Sequence, residues 1–148
     1  MNPIPHSLLP DTATVEADGS LSIGGVAVCD LAAQYGTPLF IYDEAHLRNR
    51  CREAVEAFGQ GNVVYATKAF LCKAMARLAV EEGMRLDVAS GGELYVAMAA
   101  GVSPELCVLH GNNKSIDELR NAITAGIGQI NVDSFDELDR LEALHAEG

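Results

Sequence analysis

The chain has 148 residues, 49% of them hydrophobic and 21% charged, which is the size and composition of one globular domain and not of a disordered or fibrous protein. Its formal net charge of −11 repels phosphate backbones and argues against nucleic-acid binding. No apolar run reaches the roughly 18 residues of a membrane span, and the polar N-terminus does not resemble a signal peptide.

The four cysteines predict neither a metal site nor a disulfide framework. They form no C-x-x-C pair, and no histidine lies at zinc-ligand spacing from two of them. We therefore expect buried free thiols, no bound metal and a cytoplasmic location.

The N-terminal segment is predicted to be mostly extended. Residues 1–20 are polar and contain prolines, and LSIGGVAV at 21–28 alternates as strands do around a Gly-Gly turn. Asp30 is placed to cap a short helix over residues 31–35, and the Gly-Thr-Pro that follows interrupts the chain.

A strand and a long helix are predicted next. Residues 39–42 form a short apolar run that favours a strand. A helix begins at Asp43 and ends before residues 59–62, which read Gly-Gln-Gly-Asn. The apolar face of this helix consists of Leu47, Cys51, Val55 and Phe58.

From residue 63 onward, a strand-like run is followed by a helix four times in succession. The runs are VVYATK (63–68), MRLDVAS (84–90), ELCVLH (105–110) and IGQINVD (127–133). The helices are predicted over residues 71–82, 91–100, 115–125 and from 134 onward. This alternation is typical of α/β proteins with a parallel sheet covered by helices. Because four such units are half of a (β/α)8 barrel, we expect either an open sheet or an incomplete part of a larger enzyme.

Three of these helices begin with the pattern S-x-x-E, at Ser90, Ser115 and Ser134. In such a capping box the serine side chain accepts from the amide three residues later, and the glutamate at that position accepts from the serine amide. We therefore expect reciprocal capping at all three helix starts.

Lys68 ends the first strand-like run, and strand C-termini are where parallel α/β proteins hold their active sites. Apolar surroundings disfavour an ammonium group and favour the neutral amine that Schiff-base chemistry requires. The alternative is a lysine that extends from the strand end to water. Lys73 lies on a helix and Lys114 just ahead of one, and both are expected to be solvated.

Asp87 lies inside the second run, where a carboxylate needs a polar partner. A lysine of the neighbouring strand and Arg85 of the same strand are the candidates. His110 ends the third run and is interpreted first as a structural histidine. Asp133 ends the fourth run and is interpreted as a helix-start acid. The Gly-Gly pair at 91–92 opens a helix and is a weak candidate for an anion site.

Four segments resemble strand–helix junctions of the diaminopimelate decarboxylase family, which belongs to the alanine-racemase-type (fold type III) enzymes that use pyridoxal 5'-phosphate (PLP). They are VVYATKAF, RLDVASGGEL, VLHGNNKSIDEL and INVDSFDEL. The opening LPDTATVEADGSLSIGGVAVCDLAAQYGTPLFIYDEAHLR also resembles that family. The resemblance extends over nearly the whole chain.

The resemblance implies that residues 37–148 are the first half of a PLP-binding (β/α)8 (TIM) barrel. Residues 1–36 would join a C-terminal β domain whose sequence is absent from these 148 residues. Lys68 is implied to be the catalytic residue that carries the cofactor. The other cofactor-binding residues that the resemblance implies are Ala66, Asp87, Glu93, His110 and Asn112.

The implied reaction is decarboxylation of meso-2,6-diaminopimelate to L-lysine and CO2 by a homodimer. The family's phosphate loop, ring-stacking histidine and acidic partner of the pyridine nitrogen have no counterpart within these 148 residues, so we expect the isolated chain to be inactive. Two alternatives stay open: a decarboxylase of the ornithine or arginine type, and a non-catalytic truncated PLP-binding chain.

Overall fold

The computed structural model describes residues 4–147, which form two compact units. The first unit runs to Arg50 and the second begins at Cys51. The strands are β1 (Thr14–Val15), β2 (Leu21–Ile23), β3 (Val26–Ala27), β4 (Val64–Ala66), β5 (Arg85–Val88), β6 (Cys107–Leu109) and β7 (Gln129–Ile130). The helices are α1 (Val28–Tyr35), α2 (Glu44–Phe58), α3 (Lys73–Glu81), α4 (Gly91–Ala99), α5 (Ile116–Ala125) and α6 (Phe135–Ala146). Within this part of the chain, none of the helices combines the length and the apolar character needed to cross a bilayer.

The hairpin predicted in the first unit is confirmed. β2 and β3 pair antiparallel across Gly24 and Gly25, whose φ angles of 60° and 78° suit glycine in a two-residue hairpin turn. The helix after it begins earlier than predicted, because α1 starts at Val28 with Ala27 as its N-cap. Asp30 is therefore not the cap; it lies in the first turn, where a carboxylate interacts favourably with the helix dipole.

The strand predicted over residues 39–42 is wrong. This segment belongs to neither sheet of the described chain, and its Phe40 side chain is 87% exposed. An apolar run becomes a strand only where a neighbouring strand receives its backbone hydrogen bonds, and no such neighbour lies beside this segment in residues 4–147. The predicted helix after it is confirmed as α2, and the Asp43 carboxylate accepts from the His46 amide at 3.1 Å at its start.

The second unit is a parallel sheet in the order β4-β5-β6-β7, and each strand is followed by a helix. The predicted strand–helix alternation is thus confirmed. The register pairs Ala66 with Asp87 and Leu109 with Ile130, which brings the C-terminal ends of all four strands to one edge of the sheet. Polar residues that follow the strands are gathered there as a result.

The central strands β5 and β6 contain the core of the second unit. In β5, Leu86 and Val88 are fully buried, whereas Arg85 and Asp87 on the opposite face are only half-buried. Helices α3 and α4 contact β5 on its buried face. Apolar helix residues that complete this core are Met75, Ala76, Ala79, Leu94, Ala97, Leu119 and Ala122. The outer strand β4 is less covered, and Val64 is 40% exposed.

The three S-x-x-E sequences cap their helices in three different ways. Each serine side chain accepts from the amide of the glutamate, at 3.2 Å, as predicted. The glutamate completes a reciprocal box only at Ser115 among the described helix starts. Glu93 instead accepts from the amide of Ala89, and Glu137 lies 2.9 Å from the buried ammonium of Lys114. The prediction of reciprocal boxes is therefore right for one helix and wrong for two.

Glu118, the glutamate of the complete box, also binds the start of the preceding helix. Its Oε2 accepts from the Ser115 amide at 3.0 Å, and its Oε1 accepts from the Gly91 amide of α4 at 3.0 Å. The Gly91 amide therefore donates to a carboxylate of the chain itself. The anion at this helix start is the Glu118 side chain and not a bound ligand. Hydrogen bonds hold the pKa of Glu118 below its ordinary value of 4.5. The bond from the Gly91 amide has the largest effect on this pKa and those from Ser115 follow, whereas burial acts in the opposite direction.

Replacement of Glu118 by glutamine is expected to lower the free energy of unfolding by about 1 kcal/mol near neutral pH, the usual value of a helix cap. A carboxyl whose pKa is depressed by folding stabilises the protein above its unfolded pKa and loses that effect as the pH falls through the folded value. The difference between wild type and Glu118→Gln should therefore shrink as the pH is lowered below 4.5. Urea denaturation at a series of pH values measures this.

Asp117→Asn is the matched control, since this neighbouring acid on the first turn of α5 has no hydrogen bond to either helix start within the described residues. A difference that stays constant between neutral and acidic pH would contradict the role assigned to the Glu118 charge.

Candidate active site

A cavity of about 330 Å³ opens at the C-terminal edge of the parallel sheet. Its volume lies at the lower end of the range for small-molecule sites, about 300–1,000 Å³. Each of the four parallel strands contributes at least one residue, which lies at the C-terminal end of the strand or shortly after it. The lining residues are Lys68, Asp87, Ala89, His110, Gly111, Asn112 and Asp133.

Lys68 is held at this edge by a short 3-10 turn, Thr67–Ala69, that follows β4. The hydroxyl of buried Thr67 donates to the carbonyl of Asp87 at 2.7 Å and so fastens the turn to β5. The hydroxyl of Tyr65 donates to the carbonyl of Phe70 at 2.8 Å on the far side of the turn. The position of the lysine is therefore set by two side chains that sequence reasoning did not single out.

The side chain of Lys68 is exposed, which differs from the buried environment expected for it. The reason is that β4 is an outer strand of this sheet, so that no further strand covers its end. Within residues 4–147, no hydrogen bond or ion pair engages its ammonium group. The amine is thus accessible from the cavity.

Asp87 has a partner that the sequence did not predict. Its Oδ2 lies 3.4 Å from Nδ1 of His110, at the end of the adjacent strand β6. Neither predicted partner is used, because Arg85 donates to the side chain of Gln129 at 3.3 Å and Lys68 lies beyond ion-pair distance. The other oxygen, Oδ1, is buried and has no hydrogen-bond partner among the described residues. His110 thus has a hydrogen-bond partner, as a structural histidine would, and it also lines the cavity.

The loop after β6 brings two more groups to the cavity, the backbone of Gly111 and the amide side chain of Asn112. Gly111 has φ +128°, a conformation that side-chain-bearing residues rarely adopt, and a Cβ on it would lie 3.5 Å from the carbonyl oxygen of Ala89. Glycine therefore lets this loop pass close to the end of β5.

Two of the residues implied by the family resemblance do not line the cavity. Ala66 is a half-buried residue within β4, paired in register with Asp87. Glu93 accepts from the Ala89 amide and so supports a residue of the cavity wall from behind. Conversely, Asp133 lies in the wall although it was interpreted as a helix-start acid. Its place at the end of the fourth run is the sequence feature that could have identified it.

The three lysines have three different environments. Lys68 lines the cavity, and Lys73 at the start of α3 is exposed as expected. Lys114 is only 2% exposed, so its predicted solvation is wrong. Buried carbonyls and a carboxylate replace water around its ammonium group.

The cysteines do not offer an alternative nucleophile at the sheet. Cys107 is fully buried in β6, and burial raises the pKa of its thiol to about 11 although the charge of Arg85 opposes this, so it stays protonated near neutral pH. Cys29 is exposed, contrary to the expectation of buried thiols, because α1 contains no buried residue. The chemistry available at the cavity is therefore that of a primary amine beside a carboxylate–imidazole pair, a combination suited to covalent reaction with a carbonyl group.

Comparison with known proteins gives a consistent family. Residues 44–148 match the family described as "Pyridoxal-dependent decarboxylase, pyridoxal binding domain". A curated relative, the diaminopimelate decarboxylase of Mycobacterium bovis, is 50% identical over 99% of this chain and 34% of its own length. A crystal structure of a protein from Aquifex aeolicus matches with a TM-score of 0.85 at 36% identity, covering 92% of this chain and 34% of that one. The diaminopimelate decarboxylase of M. jannaschii in complex with L-lysine matches with a TM-score of 0.81 at 34% identity, covering 95% and 34%.

The chain spans about a third of the length of these relatives. Its second unit, four parallel strands each followed by a helix, is accordingly part of a (β/α)8 barrel. The amine at the strand edge agrees with a domain that binds an aldehyde cofactor. The chain belongs to the pyridoxal-binding domain family of the pyridoxal-dependent decarboxylases.

Proposed function

We propose that the protein to which this chain belongs converts meso-2,6-diaminopimelate to L-lysine and CO2. The observation that carries this proposal is the high identity, over nearly the whole chain, to diaminopimelate decarboxylases. One solved relative with that name holds L-lysine, the product of the proposed reaction. The geometry of the cavity supports a PLP-dependent reaction in particular.

The residues present fit PLP. The accessible amine of Lys68 is the group that a pyridoxal aldehyde requires, and no competing carboxylate pairs with it in residues 4–147. The cavity has the volume of a small-molecule site. The buried, unpartnered Oδ1 of Asp87 beside it is a polar atom that awaits a donor, since buried polar atoms in native proteins are nearly always hydrogen-bonded.

Each cavity residue has a proposed part in holding the cofactor. Lys68 would hold it covalently through its amine. Asp87 and His110 form a hydrogen-bonded pair in the wall of the same cavity and would present polar groups to the bound cofactor. Asn112 supplies amide groups from the loop, and Asp133 a carboxylate from the chain beyond β7.

The two remaining residues of the implied set have supporting parts. Ala66 sets the register of β4 against Asp87, and Glu93 fixes the Ala89 backbone at the cavity wall. When bound, PLP supplies the conjugated ring that accepts the electron pair left by the departing carboxylate. The chain's contribution is to present the amine and to orient the substrate next to it.

Two alternatives differ from this function, one in its substrate and the other in having no turnover. A decarboxylase of the ornithine or arginine type shares the covalent lysine. The two candidates differ in the substrate that they accept, because diaminopimelate carries an amino group and a carboxylate at both of its ends. A non-catalytic PLP-binding chain would be labelled at Lys68 without turnover. The identity to diaminopimelate decarboxylases favours the first function over both.

The complete gene product, supplied with PLP, should release CO2 from meso-diaminopimelate with a kcat/KM at least about 100-fold above that for ornithine or arginine, since a site built for a polar substrate group rejects analogues that lack it. Measurement of CO2 release from the three amino acids side by side tests this. Faster CO2 release from ornithine or arginine would favour the first alternative. Labelling of Lys68 by PLP without CO2 release would favour the non-catalytic chain.

We also propose that this gene product is a cytoplasmic homodimer in which residues 1–36 join a C-terminal β domain and residues 37–148 open the barrel. The outer strands β4 and β7 of the described sheet each have a free edge in this part of the chain, which supports completion by further strands. Sedimentation of the complete gene product checks the dimer.

A further inference from the structure

Lys114 is the largest fully buried side chain of the described residues. Its ammonium group lies near oxygen atoms of three segments, namely the loop after β6, the loop after β7 and helix α6. It donates to the carbonyl of Gly111 at 2.5 Å, in the loop after β6. It donates to the carbonyl of Asn131 at 2.8 Å, just after β7. The Oε1 atom of Glu137, in the first turn of α6, lies 2.9 Å away and is also buried. The ammonium thus donates two hydrogen bonds to backbone carbonyls and forms an ion pair with Glu137, whose Oε1 accepts no hydrogen bond from the described residues.

The backbone of the same residue is held from the opposite direction. Arg140, one turn further along α6 than Glu137, donates from its guanidinium to the carbonyl of Lys114 at 2.9 Å. Side chain and backbone of Lys114 are therefore both fastened to α6. This double attachment fixes the end of the loop that begins at His110.

The two loops that Lys114 joins are the ones that line the cavity on the β6 and β7 side. His110, Gly111 and Asn112 come from the first loop, and Asp133 comes from the second, two residues after Asn131. Lys114 itself does not line the cavity. Any effect of this lysine on the cavity therefore acts through the loops.

A buried charge pair is retained at a cost, because both ions lose their hydration. Polar residues on a surface would start α6 equally well, and Ser134 already caps that helix by itself. The pair is thus unnecessary for the helix start, whereas it attaches to α6 the same ammonium group that donates to both loops. Its position favours a role in ordering the cavity wall.

We propose that Lys114 is a positioning residue, which holds His110, Asn112 and Asp133 at the cavity by joining the loops after β6 and β7 to α6 through Glu137. This proposal deepens the proposed function and concerns the same cavity. It predicts that loss of the lysine loosens these two loops selectively, with the cavity residues losing their fixed places while the remaining core stays protected.

The test is hydrogen exchange by mass spectrometry on the cofactor-free complete gene product, with wild type compared with Lys114→Met. Exchange in peptides over residues 110–114 and 131–134 should accelerate by about tenfold or more, as expected when local opening replaces a fixed loop. Exchange in β5 and α3 should change much less. The dissociation constant for PLP, from an absorbance titration, should rise by about tenfold for the same reason.

Lys73→Met is the matched control, because it removes an exposed lysine of the same length from α3 and should leave both measurements unchanged. Equal acceleration of exchange along the whole chain, or no acceleration in the two loops, would overturn the proposal.

If Lys114→Met does not fold, Glu137→Gln is the deciding variant. Glutamine keeps the shape of the side chain and one acceptor oxygen but removes the charge, so the same two loops should exchange faster. Unchanged exchange in these loops would overturn the proposal. The exchange result does not depend on cofactor or turnover, so its failure is separate from a failure of the proposed function.

Discussion

Lys68→Ala is expected to remove covalent attachment of PLP and to lower decarboxylation by the complete gene product by about 1,000-fold or more, since the nucleophile of a covalent mechanism has no substitute. The accessible amine of Lys68 is the only lysine amine in the wall of the cavity as the described residues form it. Borohydride reduction fixes pyridoxal to the amine that carries it, and peptide mass mapping then identifies the residue. The wild type should carry the mark at Lys68, and the variant should carry none.

Lys73→Ala provides the control, and it should keep both the mark and the activity because this lysine lies exposed on α3. Lys114 should remain unmarked in all variants, since its ammonium is buried among three oxygen atoms. A pyridoxyl mark on Lys73 or Lys114 in the wild type would contradict the assignment. The stability of Lys68→Ala should be close to that of the wild type, because an exposed side chain is removed.

Gly128→Ala is expected to lower the free energy of unfolding by about 3 kcal/mol, the upper range for overpacking in a site that cannot expand. A Cβ at Gly128 would lie 1.9 Å from the carbonyl oxygen of Glu105 and 2.8 Å from its carbonyl carbon. These are backbone atoms, so no side chain can rotate away. The Gly128 amide also donates to the carbonyl of Pro104 at 3.1 Å, which holds the two segments at this distance. Urea denaturation of the two proteins measures the difference.

Gly92→Ala is the matched control for the added methyl group. A Cβ there meets only the Ser90 hydroxyl, at an ordinary 3.8 Å, and the position is helical. This substitution should be neutral or stabilising by up to about 1 kcal/mol, the helix propensity difference between the two residues. Equal stability of Gly128→Ala and wild type would show that the segments around Glu105 and Gly128 separate freely.

The alternation of apolar runs and helices could be predicted because it depends on residues that are close together in the sequence. Ser115 and Glu118, for example, lie three residues apart on one helix start, and their reciprocal bonds need no distant partner. Lys68 at the end of the first run was identified for a similar reason, since parallel strands bring their C-termini to one edge. The strand over 39–42 failed because a strand requires a neighbour, and its apolar pattern alone does not provide one.

The sequence by itself determined the four strand–helix units, the serine caps of three of their helices and the edge at which the cavity lies, all of which depend on residues close together in the chain. Only the tertiary structure decided which polar groups meet. Glu137 has the same S-x-x-E context as Glu118, yet it pairs with Lys114 across 23 positions of the chain because burial of that ammonium requires a carboxylate. Asp87 likewise meets His110 and not Lys68 or Arg85, because hydrogen-bond geometry between neighbouring strands, and not charge alone, selects the partner.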